Sequence, residues 1–237
     1  MFVTSSVSSG PPKGPFWRLP ALISLALLPL LVAWDFSGAD MKMAVIWGES
    51  TGFALSSNWW MVKIMHEGAR TVGWLFLLTL LLGIWRPWGA LRSLATADRA
   101  CVFGSVLCAL LTITFIKGFS ETSCPWDLQV FGGLAPYVSH WDFWQRDGGG
   151  GHCFPAGHAS TGFAFMAAYF GLKQNKAPAA LTWLLGALLV GFVLGISQQM
   201  RGAHFMSHTL WTAWICWTWA WALSWLLARD RHAPAAG

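Results

Sequence analysis

Apolar residues run along this chain in long blocks, broken by short segments rich in Gly, Pro and charge. A helix needs roughly 20 mostly apolar residues to cross a bilayer. Six blocks meet or approach that length: Leu19–Phe36, Thr71–Trp85, Arg99–Ile116, His158–Leu172, Ala179–Ile196 and Thr209–Ala228. The second and fourth are short and borrow residues from their flanks. The pattern predicts an all-α polytopic membrane protein, a six-transmembrane-helix bundle forming one domain over residues 16–230. The Ser/Gly/Pro-rich residues 1–15 and residues 231–237 are expected to be disordered tails. The stretch after Arg18 lacks a small-x-small cleavage site and reads as a first membrane helix, not a cleaved signal.

Composition agrees with a lipid solvent. The 237 residues are 55% hydrophobic and 11% charged, with a mean hydropathy of +0.50, where soluble domains average about a quarter charged. The 18 Trp against 2 Tyr suit bilayer interfaces, where the indole ring and its N–H are both satisfied. The net charge of +5 is accounted for by cytoplasmic loops, and no nucleic-acid partner is expected. With the N-terminus inside, the inner segments hold more Lys and Arg than the longer outer loops. Both termini are therefore expected in the cytoplasm of a bacterial inner membrane, with the other face periplasmic.

Three polar stretches fall on that outer face: Lys117–Leu128 ("KGFSETSCPWDL"), Cys153–Ser160 ("CFPAGHAS") and Ser197–His208 ("SQQMRGAHFMSH"). Ionisable groups near a membrane are costly, so their default reading is functional. Lys42, Lys63, His140 and His232 read as solvated or snorkelling side chains. Lys117, His158, Arg201, His204 and His208 share one depth on one face and read as a site. If helical, Arg201, His204 and His208 sit at i, i+3 and i+7 on one side. His158 is expected to begin a helix, whose free N–H groups suit an anion. Histidines with cations and no carboxylate cage suit metal-free phosphoryl transfer.

These stretches resemble the three signature motifs of the type-2 phosphatidic acid phosphatase family, whose pattern is K-x6-R-P, P-S-G-H and S-R-x5-H-x3-D. The chain reads Lys117-x6-Cys124-Pro125, then Pro155-Ala156-Gly157-His158, then Ser197-Gln198-x5-His204-x3-His208. The resemblance implies that His204 is the nucleophile and becomes a phosphohistidine. It implies that His158 protonates the leaving oxygen and then activates water. Lys117, with backbone N–H groups around Ala156 and Gly157, would hold phosphate oxygens. The implied substrate is a lipid phosphate monoester or pyrophosphate: undecaprenyl pyrophosphate, lipid A, phosphatidylglycerol phosphate or phosphatidic acid. No cofactor and no metal is expected.

The departures fall at four positions. Cys124 and Gln198 stand where the family has arginines, Ala156 replaces a serine, and His208 replaces the aspartate that orients the nucleophile. Arg201 and Gln198 are the expected replacements for phosphate binding, and His208 is the expected partner of His204. Glu121, Asp127 and Asp142 are candidate carboxylates. Cys124 and Cys153 both lie on the outer loop beside motif prolines, and an oxidising compartment predicts a disulfide between them. Cys101, Cys108 and Cys216 read as small buried hydrophobes. Asn58–Arg70 reads as an amphipathic surface helix with a Glu67–Arg70 ion pair, and Arg146–His152 as a hinge. Three alternatives stay open: a lipid phosphotransferase using the same histidine, a zinc site on His204 and His208 with His158 or His152, and a non-catalytic lipid-binding or transport protein.

Overall fold

The computed structural model describes residues 15–142, 144–173 and 175–231. The expected tails and the interfacial residue Phe143 lie outside these, as does His232. The chain is almost wholly helical: α1 (Pro15–Phe36), α2 (Ala39–Ala44), a wide π-type segment (Trp60–Gly68) running into α3 (Ala69–Gly83), α4 (Thr96–Phe119), α5 (Ser160–Phe163), α6 (Ala167–Leu172), α7 (Ala177–Met200) and α8 (Met206–Arg231). Among the described residues the one sheet is a two-stranded antiparallel hairpin, β1 (Gly48–Glu49) with β2 (Gly52–Phe53). Among the described residues, three helices are long and apolar enough to cross a membrane: Trp17–Phe36, Thr96–Phe119 and Ala177–Met200. Leu19, Leu22, Leu111, Phe115, Leu185 and Leu189 on these helices are exposed, as expected of surfaces solvated by lipid.

The other three predicted blocks are helical but differ in kind. α3 is 15 residues long. The fourth block is a run from Ser160 to Leu172 interrupted by a tighter turn at Ala164–Met166. α8 is 26 residues long, and its tryptophans lower its hydropathy. Several of these tryptophans join helices, which an interfacial reading of Trp did not anticipate. Trp214, Trp217 and Trp221, at i, i+3 and i+7 on α8, donate to the carbonyls of Ser24 (2.9 Å), Pro20 (3.3 Å) and Trp17 (3.1 Å) on α1. Trp219 donates to Thr112 Oγ1 on α4 at 2.9 Å. An indole N–H buried without a partner would be costly, so these four bonds fix helix register as well as area.

The core lies where α4, the Ser160–Leu172 run, α7 and α8 meet, around Val106, Ala109, Phe163, Met166, Ala167 and Cys216. α5 and α7 touch backbone to backbone. A Cβ on Gly162 would lie 2.2 Å from Gly191 N, and one on Gly191 would lie 2.2 Å from the Phe163 ring. This contact brings the helical run that follows the second motif onto α7, whose far end carries the third.

Candidate active site

The first motif hangs from the end of α4. Lys117 lies in the last turn, and the following chain is pinned by Asp147. That buried carboxylate accepts from Ser123 N (2.5 Å) and Ser123 Oγ (2.8 Å). Gly149 N also donates to it, at 3.0 Å, so the Gly-rich segment expected to be a hinge is tied down at this point. Cys124 and Cys153 form the expected disulfide, 29 residues apart in sequence with Cα atoms 5.1 Å apart. Of the remaining cysteines, Cys216 is buried, while Cys101 and Cys108 are half-buried.

The second motif is fastened to α8. Ala156 N donates to His208 O (3.3 Å), and Thr212 Oγ1 donates to Ala156 O (3.1 Å). The Phe154–Pro155 peptide is cis. His158 precedes the helix instead of beginning it. α5 starts at Ser160, whose hydroxyl donates to Gly157 O, because the Pro-Ala-Gly turn holds the intervening residues out of the helical run. Ala156 is fully buried.

The third motif is a helix end, not a helix face. Gly202, at φ 76°, takes the left-handed conformation that only glycine adopts cheaply. Gly202 N bonds Gln199 O and Ala203 N bonds Gln198 O, both at 2.8 Å. This double closure ends α7, so the i, i+3, i+7 alignment expected for Arg201, His204 and His208 is absent. α8 restarts at Met206, with Asp40 as its cap: Ser207 N donates to Asp40 Oδ1 at 2.9 Å, and Ser207 Oγ donates to Asp40 Oδ2. His204 is left on the turn with its Nδ1 3.7 Å from Cys153 Sγ. Its ring centroid is 5.7 Å from that of His208.

A cavity of about 330 Å³ joins part of this set. Arg70, Trp74, Lys117, Gly157, His158 and Thr161 are among its walls. Ala156, Gln198, Arg201, His204 and His208 are not among them. Arg201 is committed elsewhere: it donates to Ser56 O (3.2 Å) and Gln198 Oε1 (2.9 Å), and stacks 5.7 Å from the Trp126 ring centre. Gln198 Nε2 turns to Ser197 Oγ at 3.2 Å. Arg70 instead stands at the cavity, since the expected Glu67–Arg70 pair is not made. Glu67 pairs with Lys63 at 2.9 Å, one helical turn back. Among the described residues, neither Arg70 nor Lys117 has an acidic partner within salt-bridge reach.

His66 is the other residue that sequence reasoning passed over. Its ring stacks on His158 with centroids 3.8 Å apart and planes at 27°. The Asn58–Arg70 segment is thus one wall of the site as well as a surface helix. The residue spacing alone held no signal for this contact. His158 Nε2 is buried without a hydrogen-bond partner. Burial, and then the positive neighbours His66, Lys117, Arg70 and Arg201, push the His158 imidazole down to about 3. Burial foremost, with Lys117 next, holds His204 well below the ordinary histidine value. Both rings are neutral at pH 7, and a neutral imidazole has the lone pair that attack or proton abstraction needs.

Cys124, Cys153 and His204 bring three donor atoms within 4.8 Å of one another. With the sulfurs bonded to each other, neither is the thiolate a metal ligand requires. His152, one member of the alternative zinc set, turns its Nδ1 to Lys117 O at 3.1 Å. Two of the three expected carboxylates are also engaged: Glu121 pairs with Arg146 at 3.1 Å, and Asp127 accepts from Trp126 Nε1 at 3.0 Å; Asp142 lies with His140 on a separate pocket.

The fold and site define a helical protein with apolar membrane-length segments and a cation-lined cavity fitted with histidine. The family model of the PAP2 superfamily matches residues 99–231. The chain belongs to that superfamily, and the three motifs all lie inside the match. Membership points to phosphatase chemistry on phosphate esters. No curated protein and no solved structure matches the chain.

Proposed function

We propose that this protein is a metal-independent membrane phosphatase that hydrolyses a lipid phosphate monoester or lipid pyrophosphate through a phosphohistidine on His204. The observation that carries the reading is the pair of unpaired cations, Arg70 and Lys117, on one cavity with the orphaned Nε2 of His158. An anion of two or more charges is what such a cavity lacks. The same cations oppose a divalent metal ion. The lipid reading rests on an apolar groove of about 690 Å³ that shares Gly73, Thr161 and Phe165 with the cavity. Ile64, Val72, Phe76, Val190 and Leu194 are among the groove's lining residues, a surface suited to hydrocarbon.

In this reading the phosphate sits between Arg70, Lys117 and the Gly157 backbone. Nε2 of His204, the nitrogen other than the one facing Cys153, attacks phosphorus as the bond to the leaving oxygen breaks. His158 delivers a proton to that oxygen. Water then attacks phosphorus while His158 takes the water's proton; the phosphorus–nitrogen bond breaks, its electron pair returns to His204 Nε2, and inorganic phosphate leaves. His158 must carry a proton for the first step. A bound anion favours that proton, because its negative charge counters the burial and the neighbouring cations that hold the imidazole neutral. The full topology belongs to the same proposal: six spans in one domain, both termini cytoplasmic, and the site at the periplasmic face of a bacterial inner membrane.

The test is phosphate release in detergent from a panel of lipid phosphates, with chelator present, for wild type, His204→Ala and His158→Ala. Release that survives chelator and is lost in both variants is the expected result. Release that persists in His204→Ala overturns the phosphohistidine.

A further inference from the structure

The family's aspartate after the nucleophile is missing, and Glu121 and Asp127, two of the carboxylates suggested by the sequence, are paired elsewhere. Behind His208, however, the structure holds a buried line of polar groups. The His208 ring is 5.6 Å from that of His140, at 86°. His140 Nε2 is 3.4 Å from Asp35 Oδ2, with side chains only 7% and 1% exposed. Asp35 Oδ2 also accepts from Trp141 Nε1 and Trp211 Nε1, both at 2.9 Å. The His140 ring lies flat on Phe154, 4.2 Å away with planes at 4°, immediately before the second motif.

We propose that Asp35 acts on His204 through His140 and His208, as a remote carboxylate replacing the local one. The proposal rests on the phosphatase reading for its kinetic consequence but not for its geometry. The two indole N–H groups account for Asp35 Oδ2 alone, and a neutral acceptor would serve them without the cost of burying a charge. Nor would it leave Asp35 Oδ1, His140 Nε2 and His208 Nδ1 all buried without hydrogen-bond partners, as they are here. Buried orphan atoms are uncommon and mark places where function constrains the structure.

The device works by orientation and charge. Asp35, fixed by two indoles, favours the tautomer of His140 that carries its proton on Nε2. The other His140 nitrogen then offers a lone pair toward His208, and His208 is oriented in turn beside His204. The ring of His204 gains positive charge as it attacks phosphorus. A carboxylate at the end of a line of orientable imidazoles stabilises that charge from a distance, in the way outer partners tune a ligand histidine. Asp35 and His140 are positioning residues, because neither touches substrate.

Asp35→Asn separates charge from packing, because the amide keeps an oxygen for the Trp141 and Trp211 indoles. The ¹⁵N imidazole shifts of His140 and His208 are read in detergent, with assignment by single His→Gln variants. Both sets are expected to move in Asp35→Asn. A shift confined to His140 overturns the relay, whether or not the protein proves to be a phosphatase. For the active protein, kcat is expected to fall by roughly 10-fold or more, with KM within about twofold. His208→Asp restores a local carboxylate, and Asp35→Asn in that background is expected to cost less than about twofold. An unchanged kcat in Asp35→Asn, or an equal loss in both backgrounds, overturns the proposal. Wild type without lipid phosphatase activity overturns the proposed function alone, and the ring shifts then decide the relay.

Discussion

The segment that matches the family and the segment before it divide the site between them. Residues 99–231 carry the motif groups Lys117, Gly157, His158, His204 and His208. Residues 15–98 carry Arg70 on the cavity wall, His66 stacked on His158, Asp35 behind the histidines and Asp40 at the start of α8. The matched half retains the histidines and the lysine but has lost two arginines and an aspartate. The charges facing the same region from the other half are an arginine and two aspartates. The comparison teaches that a divergent motif is judged by what the rest of the chain brings to it.

Single substitutions test this division, beginning with the most severe. His204→Ala is expected to reduce phosphate release by at least about 10⁴-fold, and His158→Ala by roughly 10²–10⁴-fold, measured as kcat in detergent. A smaller loss at His204 than at His158 would reverse their assigned roles. Arg70→Ala is expected to lower kcat/KM by about 10²-fold, the scale of one positioned donor on a transferring group. Arg201→Ala is expected to fall mainly on stability, because its guanidinium is bonded to Ser56 and Gln198. If Arg201→Ala damages kcat/KM more than Arg70→Ala, the replacement cation lies in the matched half after all.

Two milder effects concern the frame. Reducing the Cys124–Cys153 bridge releases a 29-residue separation, a loss of roughly 3–4 kcal/mol in the loop-entropy model. The readout is a lower midpoint of thermal unfolding in detergent with dithiol. An unchanged midpoint would mean that Asp147 and Ser123 hold the loop alone. The smallest effect is on pH. His158 titrates near 6.5 when unfolded and near 3 when folded, so the unfolded chain binds the extra proton in between. Stability from this group is therefore complete above pH 6.5 and declines as pH falls toward 3. His158→Gln is expected to flatten part of that decline, and an identical pH profile in the variant would contradict it.

The ordered motifs were legible because phosphate chemistry needs particular side chains at fixed spacings around short turns. The disulfide was legible because both cysteines flank those turns. Arg70 and His66 were not. Sequence offered Arg70 a nearby acid in Glu67, and only the structure shows that Lys63, four residues before Glu67, takes that acid instead. Asp35 and His140 are 105 positions apart in sequence, and no local pattern links them. The helix expected through Arg201 failed because Gly202 closes α7, a tertiary choice that also seats Phe53 against that glycine. Helix existence followed from apolar length. Which helices cross the membrane does not follow from length alone where α8 exchanges hydropathy for indole bonds.

α8 fastens to elements far back along the chain. Ser207 meets Asp40 across 167 positions, and Trp221 meets the Trp17 carbonyl across 204. During synthesis α1 and Asp40 leave the ribosome early and wait for partners that emerge near the end. The turn carrying His204 is not capped until those partners arrive. In the proposed reading, the surroundings of His204 are therefore complete only once α8 has packed against α1 and Asp40.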